Sequence, residues 1–254
     1  MNVSIITPTY NSAKTIQSTL ESVSKQTHPN IEHIIIDGGS TDETLDLVKK
    51  YGSRVTKVIS EPDNGIYDAM NKGVALAQGE VVGILNSDDF YTHTMVVKRL
   101  MDTMEAAQSD SVYADLQYVD AEDAQRVVRF WKSGKFHPKK FLLGWMPPHP
   151  TFFVKRKIYE SLGAFDAGFD ISGDYELMLR FLFRHGVSTS YLPEVVVRMR
   201  NGGASNYGWK TRIKANKEDR LAWEMNDLEY KFYTPILKPV RKLEQYRHQL
   251  AGLF

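Results

Sequence analysis

The chain contains no cysteine among its 254 residues. Disulfides, thiolate zinc sites and a cysteine nucleophile are therefore excluded. Long apolar runs are missing too, and no stretch approaches the roughly 20 residues needed to cross a bilayer. No basic run precedes Val3, and Pro8, Tyr10 and Asn11 interrupt any apolar segment of the kind a secretory signal needs, so none is expected. Neither charge dominates: 32 Lys and Arg stand against 31 Asp and Glu, a net charge of +1. Without a basic excess, nucleic acid is not an expected partner. No G-x-G-x-x-G follows the first strand pattern, and P-loop, G-x-S-x-G and H-E-x-x-H signatures are absent, which disfavours several nucleotide-binding and hydrolytic classes. What is present is a globular composition, 42% apolar and 25% charged, enough for a sizeable core. A soluble or peripheral, cytoplasmic protein is expected.

The first 90 residues alternate between short apolar runs and helical spacing. Val3–Thr7, Ile31–Asp37, Val55–Ser60 and Val81–Leu85 read as strands. Between them, Ser12–Ser24, a segment with Leu45, Leu47 and Val48, and Tyr67–Ala77 read as amphipathic helices. This pattern predicts an α/β fold with a largely parallel sheet covered on both faces, with ligands beyond the carboxyl ends of the strands. From Ser111 the pattern changes. Ser111–Asp120 and Arg126–Trp131 read as strands, Phe136–Pro150 as a long loop, Ile158–Leu162 and Tyr175–Phe183 as helices, and Val187–Leu192 and Val195–Arg200 as two more strands. From Asn206 the chain reads as helices broken near Pro235 and Pro239. Residues 196–254 hold 12 Lys and Arg against 6 Asp and Glu, so a basic tail follows an acidic body.

Each of the first four strand patterns ends in a polar cluster. These are Thr7-Pro8-Thr9-Tyr10-Asn11, Asp37 to Asp42, Glu61 to Gly65, and Asn86-Ser87-Asp88-Asp89. Singly, each has a structural explanation: Ser40 with Glu43 reads as a capping box, and Asp63-Asn64-Gly65 as a plain turn. Together they deliver Asp37, Asp63, Asp88 and Asp89 to one sheet edge. Such crowding needs a cation or hydrogen-bond donors, and a diphosphate-bound Mg²⁺ or Mn²⁺ matches those hard oxygen ligands.

TPTYN at 7–11, DGGSTD at 37–42, EPDNGIYDAMNKG at 61–73 and LNSDD at 85–89 closely resemble inverting glycosyltransferase family 2, of the bacterial surface-polysaccharide type. The resemblance extends over about residues 2–205. It implies a GT-A type, Rossmann-like mixed and mostly parallel sheet flanked by helices, with a C-terminal helical extension. The expected organisation is a glycosyltransferase domain at 1–205, with a donor half at 1–110 and an acceptor half at 111–205, then a basic helical extension at 206–254. Carried over residue by residue, Asp37 matches the aspartate that reads the nucleotide base, with Thr7, Pro8 and Tyr10 lining that pocket and Asn11, Asp63, Asn64 and Ser87 beside the donor. Asp88 matches the last acid of the metal motif. This chain departs from the family at Asn86, where the motif begins with an acid; the amide can bond a ribose or sugar, and Asp89 is a weaker candidate ligand.

The family's base is the aspartate of a Glu-Asp pair opening a helix. Here Gly173-Asp174-Tyr175-Glu176 keeps the acid and replaces the glutamate. An N-cap aspartate has the same local pattern. His149, between prolines, suits either substrate contact or a structural hydrogen bond. Arg198 and Arg200, ahead of Asn201 to Ser205, suit either a diphosphate or solvent. The expected activity is single-displacement transfer from a nucleotide-sugar, a UDP-sugar, to a saccharide or lipid-linked saccharide hydroxyl, with Mn²⁺ or Mg²⁺. A sugar-nucleotide pyrophosphorylase and a non-catalytic nucleotide- or carbohydrate-binding module remain alternatives. Tyr230–Phe254 mixes basic and apolar residues, which suits peripheral contact with the inner face of the cytoplasmic membrane or a homodimer contact.

Overall fold

A computed structural model describes residues 1–202, 208–230 and 234. The first half runs β1 (Val3–Thr9), α1 (Ile16–Ser24), β2 (Ile31–Asp37), α2 (Thr44–Tyr51), β3 (Val55–Ser60), α3 (Ile66–Leu76) and β4 (Val81–Ile84). After it come β5 (Phe90–Tyr91), α4 (Val96–Ala106), β6 (Ser111–Val119), β7 (Val127–Trp131), α5 (Lys139–Leu142), β8 (Phe153–Lys155), α6 (Arg156–Leu162), α7 (Gly173–Met178), β9 (Thr189–Arg200) and α8 (Gly208–Met225). A wider π-type stretch, Leu179–Arg184, continues α7.

The strands form one mixed sheet in the order β3-β2-β1-β4-β8-β6-β9-β5, with β7 paired to β6. The first four strands are mutually parallel, so their carboxyl ends share one edge. β8 then runs antiparallel to both β4 and β6 and joins the two halves. Both faces are covered. Ile6, Ile34, Ile36 and Val82 pack with Met70 of α3 and with Leu177 and Trp223 of α7 and α8. The alternate residues Val3, Ile5 and Val81 pack with Val97 and Leu100 of α4, and Ile35 packs with Ile16, Leu20 and Val48 of α1 and α2. Burial on both faces explains the continuous apolar runs.

Three local expectations are corrected. The expected strands Val187–Leu192 and Val195–Arg200 merge into one, β9, which begins at Thr189, because a register irregularity opposite Ala114–Leu116 absorbs Pro193 and Glu194 instead of ending the ladder. The capping box is not formed: Ser40 turns back to Asp37, and α2 begins at Thr44 without a side-chain cap. The loop Phe136–Pro150 contains α5, and a 3-10 turn, His149–Thr151, starts near its end. The expected helix breaks at Pro235 and Pro239, and all of the basic tail after Tyr230 except Thr234, lie outside the described residues. Among the described residues no helix is long and apolar enough to cross a membrane.

Candidate active site

The loops after β1, β2, β3 and β4 meet at the shared strand edge and are tied by side chains. Asp37 is wholly buried at the end of β2. Its Oδ2 accepts from the Gly39 and Ser40 amides at 3.2 and 3.0 Å and from Ser60 Oγ at 2.7 Å, and its Oδ1 accepts from Ser40 Oγ. Ser40 Oγ in turn accepts from the Asn11 amide at 2.7 Å, and Asn11 Oδ1 accepts from the Thr41 amide at 2.9 Å. Asn11 sits at φ +48°, a left-handed conformation that asparagine tolerates. Thr7 and Pro8 are buried in β1, with Thr7 Oγ1 3.0 Å from His33 Nε2.

Gly38 lies between Tyr10 and Asp63. A Cβ there would stand 2.5 Å from Asp63 Oδ2 and 3.4 Å from Tyr10 Cδ2, so a side chain at this position would have to push the Asp63 carboxylate aside. Tyr10 remains 63% exposed, an open aromatic face beside a carboxylate. Asp63 Oδ1 accepts from the Gly65 amide at 2.9 Å, which makes the expected turn, and Asn64 is exposed at its corner.

The loop after β4 reaches three directions. Ser87 Oγ lies 2.8 Å from Ser12 Oγ, joining it to the first loop. Asn86 Nδ2 donates to His149 Nε2 at 3.3 Å, and Asn86 Oδ1 is buried with no hydrogen-bond partner among the described residues. Asp88 is half-buried, and desolvation pushes its carboxyl up, opposed by the Arg200 charge. Arg200 donates to the Asp88 carbonyl at 2.6 Å and to Ser18 Oγ at 3.1 Å, and lies 5.0 Å from the Phe90 ring centroid. Asp89 has no exposed surface, and burial together with the neighbouring Asp88 charge holds its carboxyl well above the ordinary carboxylate range. Asp88 keeps some exposed surface, and Asp89 keeps none. Arg198 pairs with Phe90 across β5 and β9, and its Nε is buried without a partner among the described residues.

Asp174 stands half-buried in the first turn of α7 and accepts from the Tyr175 amide at 2.8 Å. Burial pushes the His149 imidazole down, and the Asp174 charge opposes that shift. Asn86 and His149, from separate segments, are thus in contact, and the Asp174 charge acts on His149 from a third. Two further residues support this corner: Tyr67 of α3 donates to the Ile171 carbonyl at 2.7 Å, and Glu218 of α8 accepts from the Ser172 amide at 2.8 Å. Neither was visible as a site residue in sequence, where one sits in an amphipathic helix and the other in a charged run.

No group of three or more His, Cys, Asp or Glu side chains suited to an ion occurs among the described residues. An ion held mainly by a diphosphate needs fewer protein ligands. The Asp88 carboxylate and the orphaned Asn86 oxygen, two positions apart, are hard donors that fit Mg²⁺ or Mn²⁺ in that role.

The profile of glycosyl transferase family 2 matches residues 4–171. The PGL/p-HBAD biosynthesis glycosyltransferase of Mycobacterium tuberculosis H37Rv is 30% identical over 208 residues, 80% of this chain and 78% of that protein. TuaG of Bacillus subtilis, named for teichuronic acid biosynthesis, is 41% identical over 106 residues, 41% of this chain and 42% of that one. Among solved structures, residues 1–349 of Staphylococcus aureus TarS with UDP-GlcNAc superpose with a TM-score of 0.69 at 19% identity, covering 93% of this chain and 69% of that one. The Pyrobaculum calidifontis mannosyltransferase PcManGT with GDP-Man and Mn²⁺ gives 0.64 at 20% identity, covering 93% and 68%. The chain spans 41% of the longer TarS chain that it also matches. The loops that converge at the parallel strand edge carry the matched sequence, the sheet superposes on these glycosyltransferases, and the chain belongs to glycosyl transferase family 2.

Proposed function

We propose that this glycosyltransferase transfers a sugar with inversion from a UDP-sugar to an acceptor hydroxyl in the assembly of a cell-surface glycan. The observations that carry the mechanism are the Asn86–His149 contact at the end of β4 and the Asp174 carboxylate in the first turn of α7, whose charge acts on His149. Asp174 takes the proton of the acceptor hydroxyl as that oxygen attacks the anomeric carbon. The bond from that carbon to the diphosphate oxygen breaks on the opposite face, and its electron pair leaves with the nucleoside diphosphate. One displacement completes the transfer, so no covalent enzyme intermediate forms.

The donor nucleoside lies between Tyr10 and Asp63, with Thr7, Pro8, Asn11, Asp37 and Asn64 shaping that loop cluster. Asn86 and Ser87 face the sugar and ribose. Asp88 and the Asn86 oxygen would hold Mg²⁺ or Mn²⁺, which when bound would neutralise charge on the leaving diphosphate. His149 orients the acceptor side, and Arg200 adds positive charge beside the diphosphate, with Arg198 behind it. Residues 1–110 serve the donor and 111–205 the acceptor. The basic tail brings a lipid-linked acceptor and the enzyme to the same membrane face. The relatives named for PGL/p-HBAD and teichuronic acid biosynthesis support the glycan assignment.

Calorimetry with UDP, combined with a panel of UDP-, GDP- and dTDP-sugars assayed for nucleoside diphosphate release with acceptor, tests this function. Tight UDP binding and UDP release from one sugar nucleotide are expected. Binding without turnover on any donor would favour the non-catalytic module.

A further inference from the structure

Asp174 lies in the first turn of α7, and its position depends on the loop that leads into that helix. The loop before it is fixed from two elements distant in sequence. From α8, Glu218 Oε2 accepts from the amides of Ile171 and Ser172 at 2.9 and 2.8 Å, and Oε1 accepts from Asp170 at 3.4 Å. From α3, Tyr67 Oη donates to the Ile171 carbonyl at 2.7 Å. Glu218 is 9% exposed and Tyr67 5%. Ser172 Oγ also donates to the Ala215 carbonyl of α8, and Lys214 pairs with Asp170.

The grip continues past the acid. Trp223 Nε1 donates to Tyr175 Oη at 2.8 Å, and Asn226 Nδ2 to Glu176 Oε1 at 3.0 Å. α8 therefore bonds the chain on both sides of Asp174, and none of these bonds uses the Asp174 side chain. A buried carboxylate is costly to leave unpaired, and bonds from amides to a charged oxygen are the stronger kind. Loop and carboxylate hold each other in place.

We infer that Glu218 is a positioning residue for Asp174: together with Tyr67 it fixes the peptide planes that lead into α7, and so sets where the Asp174 carboxylate stands relative to the acceptor hydroxyl. This rests on the assignment of Asp174 as the base. Misplacing a reacting group by about 1 Å can cost on the order of 100-fold in rate.

The test uses the full chain with a UDP-sugar that turns over, and compares wild type, Glu218→Ala, Glu218→Gln, Asp174→Asn and the Asp174→Asn/Glu218→Ala double variant. Glu218→Ala is expected to lower kcat by about 10- to 100-fold. Donor KM and UDP affinity by calorimetry should stay within about twofold, because the loop touches the base and not the nucleoside cluster. Glu218→Gln should recover most of the rate, since its amide oxygen still accepts from Ile171 and Ser172. With Asp174 already replaced, Glu218→Ala should cost less than about threefold more, since no base remains to be misplaced. Wild-type kcat in a folded Glu218→Ala, an equal loss in both backgrounds, or a parallel loss of UDP affinity would overturn the inference. Should Glu218→Ala fail to fold by circular dichroism, Glu218→Asp, which withdraws the charge by one methylene, carries the same comparisons. Failure of the base assignment looks different: Asp174→Asn would then keep wild-type turnover whatever the Glu218 variants do.

Discussion

The ring of Tyr67 fills the space in which a side chain at Gly173 would begin. A Cβ at Gly173 would lie 2.8 Å from both Cε2 and Cζ of Tyr67, closer than real Cβ contacts come. The ring has little room to yield. It stacks on Phe165 at 5.7 Å and is tethered through its hydroxyl to Ile171. The glutamate that the family resemblance places before the base thus has no room in this chain, and a glycine stands there instead.

Gly173→Ala should therefore destabilise the fold by about 1–3 kcal/mol through overpacking, which outweighs the roughly 1 kcal/mol that alanine brings to a helix. Thermal unfolding measures it. Combined with Tyr67→Ala, the substitution should cost clearly less than the sum of the two singles, because the clash partner is gone. Strict additivity would separate the two residues.

Asp174→Asn keeps the shape and the bond to the Tyr175 amide but cannot take a proton. Turnover should fall by about 10²–10⁴-fold, with UDP affinity nearly unchanged. Full activity would move the base elsewhere, with Asp170 and Glu176 next in line. Glu176 is the poorer of the two, since Arg180 and Asn226 already engage its buried carboxylate.

Removal of Asp88 tests the cation. Wild-type binding of a UDP-sugar should weaken when EDTA replaces Mn²⁺, and Asp88→Ala should bind about equally in both. Wild-type binding that ignores the chelator would mean that Asn86 in the motif's first position has ended ion capture.

His33 links the donor-side sheet to pH. It is wholly buried on β2, and burial holds its imidazole down at about 3 against an ordinary 6.5. The unfolded chain protonates this histidine below 6.5 while the folded chain keeps it neutral, so the unfolded state binds more protons in that window. Stability attributable to His33 is intact above 6.5 and is lost as pH falls, at about 1.4 kcal/mol per pH unit. Between pH 6.5 and 5 that is about 2 kcal/mol. Denaturant unfolding at both pH values should show His33→Gln losing less than wild type by about that amount, although His149 shifts in the same direction in both proteins.

The parallel half of the sheet was legible because its strands are buried on both faces and its helices on one, and these two burial patterns are written as runs and periods along the chain. The clusters at Thr7–Asn11, Asp37–Asp42 and Asn86–Asp89 were legible for a related reason. Parallel strands end on one edge, so consecutive strand ends place these clusters together without any knowledge of packing. Less was readable after Ser111, where antiparallel pairs, short helices and β9 depend on partners distant in sequence. Val187–Leu192 and Val195–Arg200 read as separate strands around Pro193, and only the ladder with β6 shows that an irregularity absorbs the proline.

By itself, the sequence determined the fold class, the edge where the loops gather, and the acids delivered there. Tertiary structure decided how each acid is used. It closed Asp37 into four hydrogen bonds, sank Asp89 out of solvent, left Asp88 beside Arg200, and set His149 against Asn86 from 63 residues away. Glu218 shows why. In the run Lys217-Glu218-Asp219-Arg220 it has the pattern of a solvated helix face, and only the packing of α8 on α7 turns that carboxylate inward to three amides. Periodicity reports which face of an element is apolar, but the partner of a buried charge is set by the meeting of elements, and that meeting leaves no local trace in the chain.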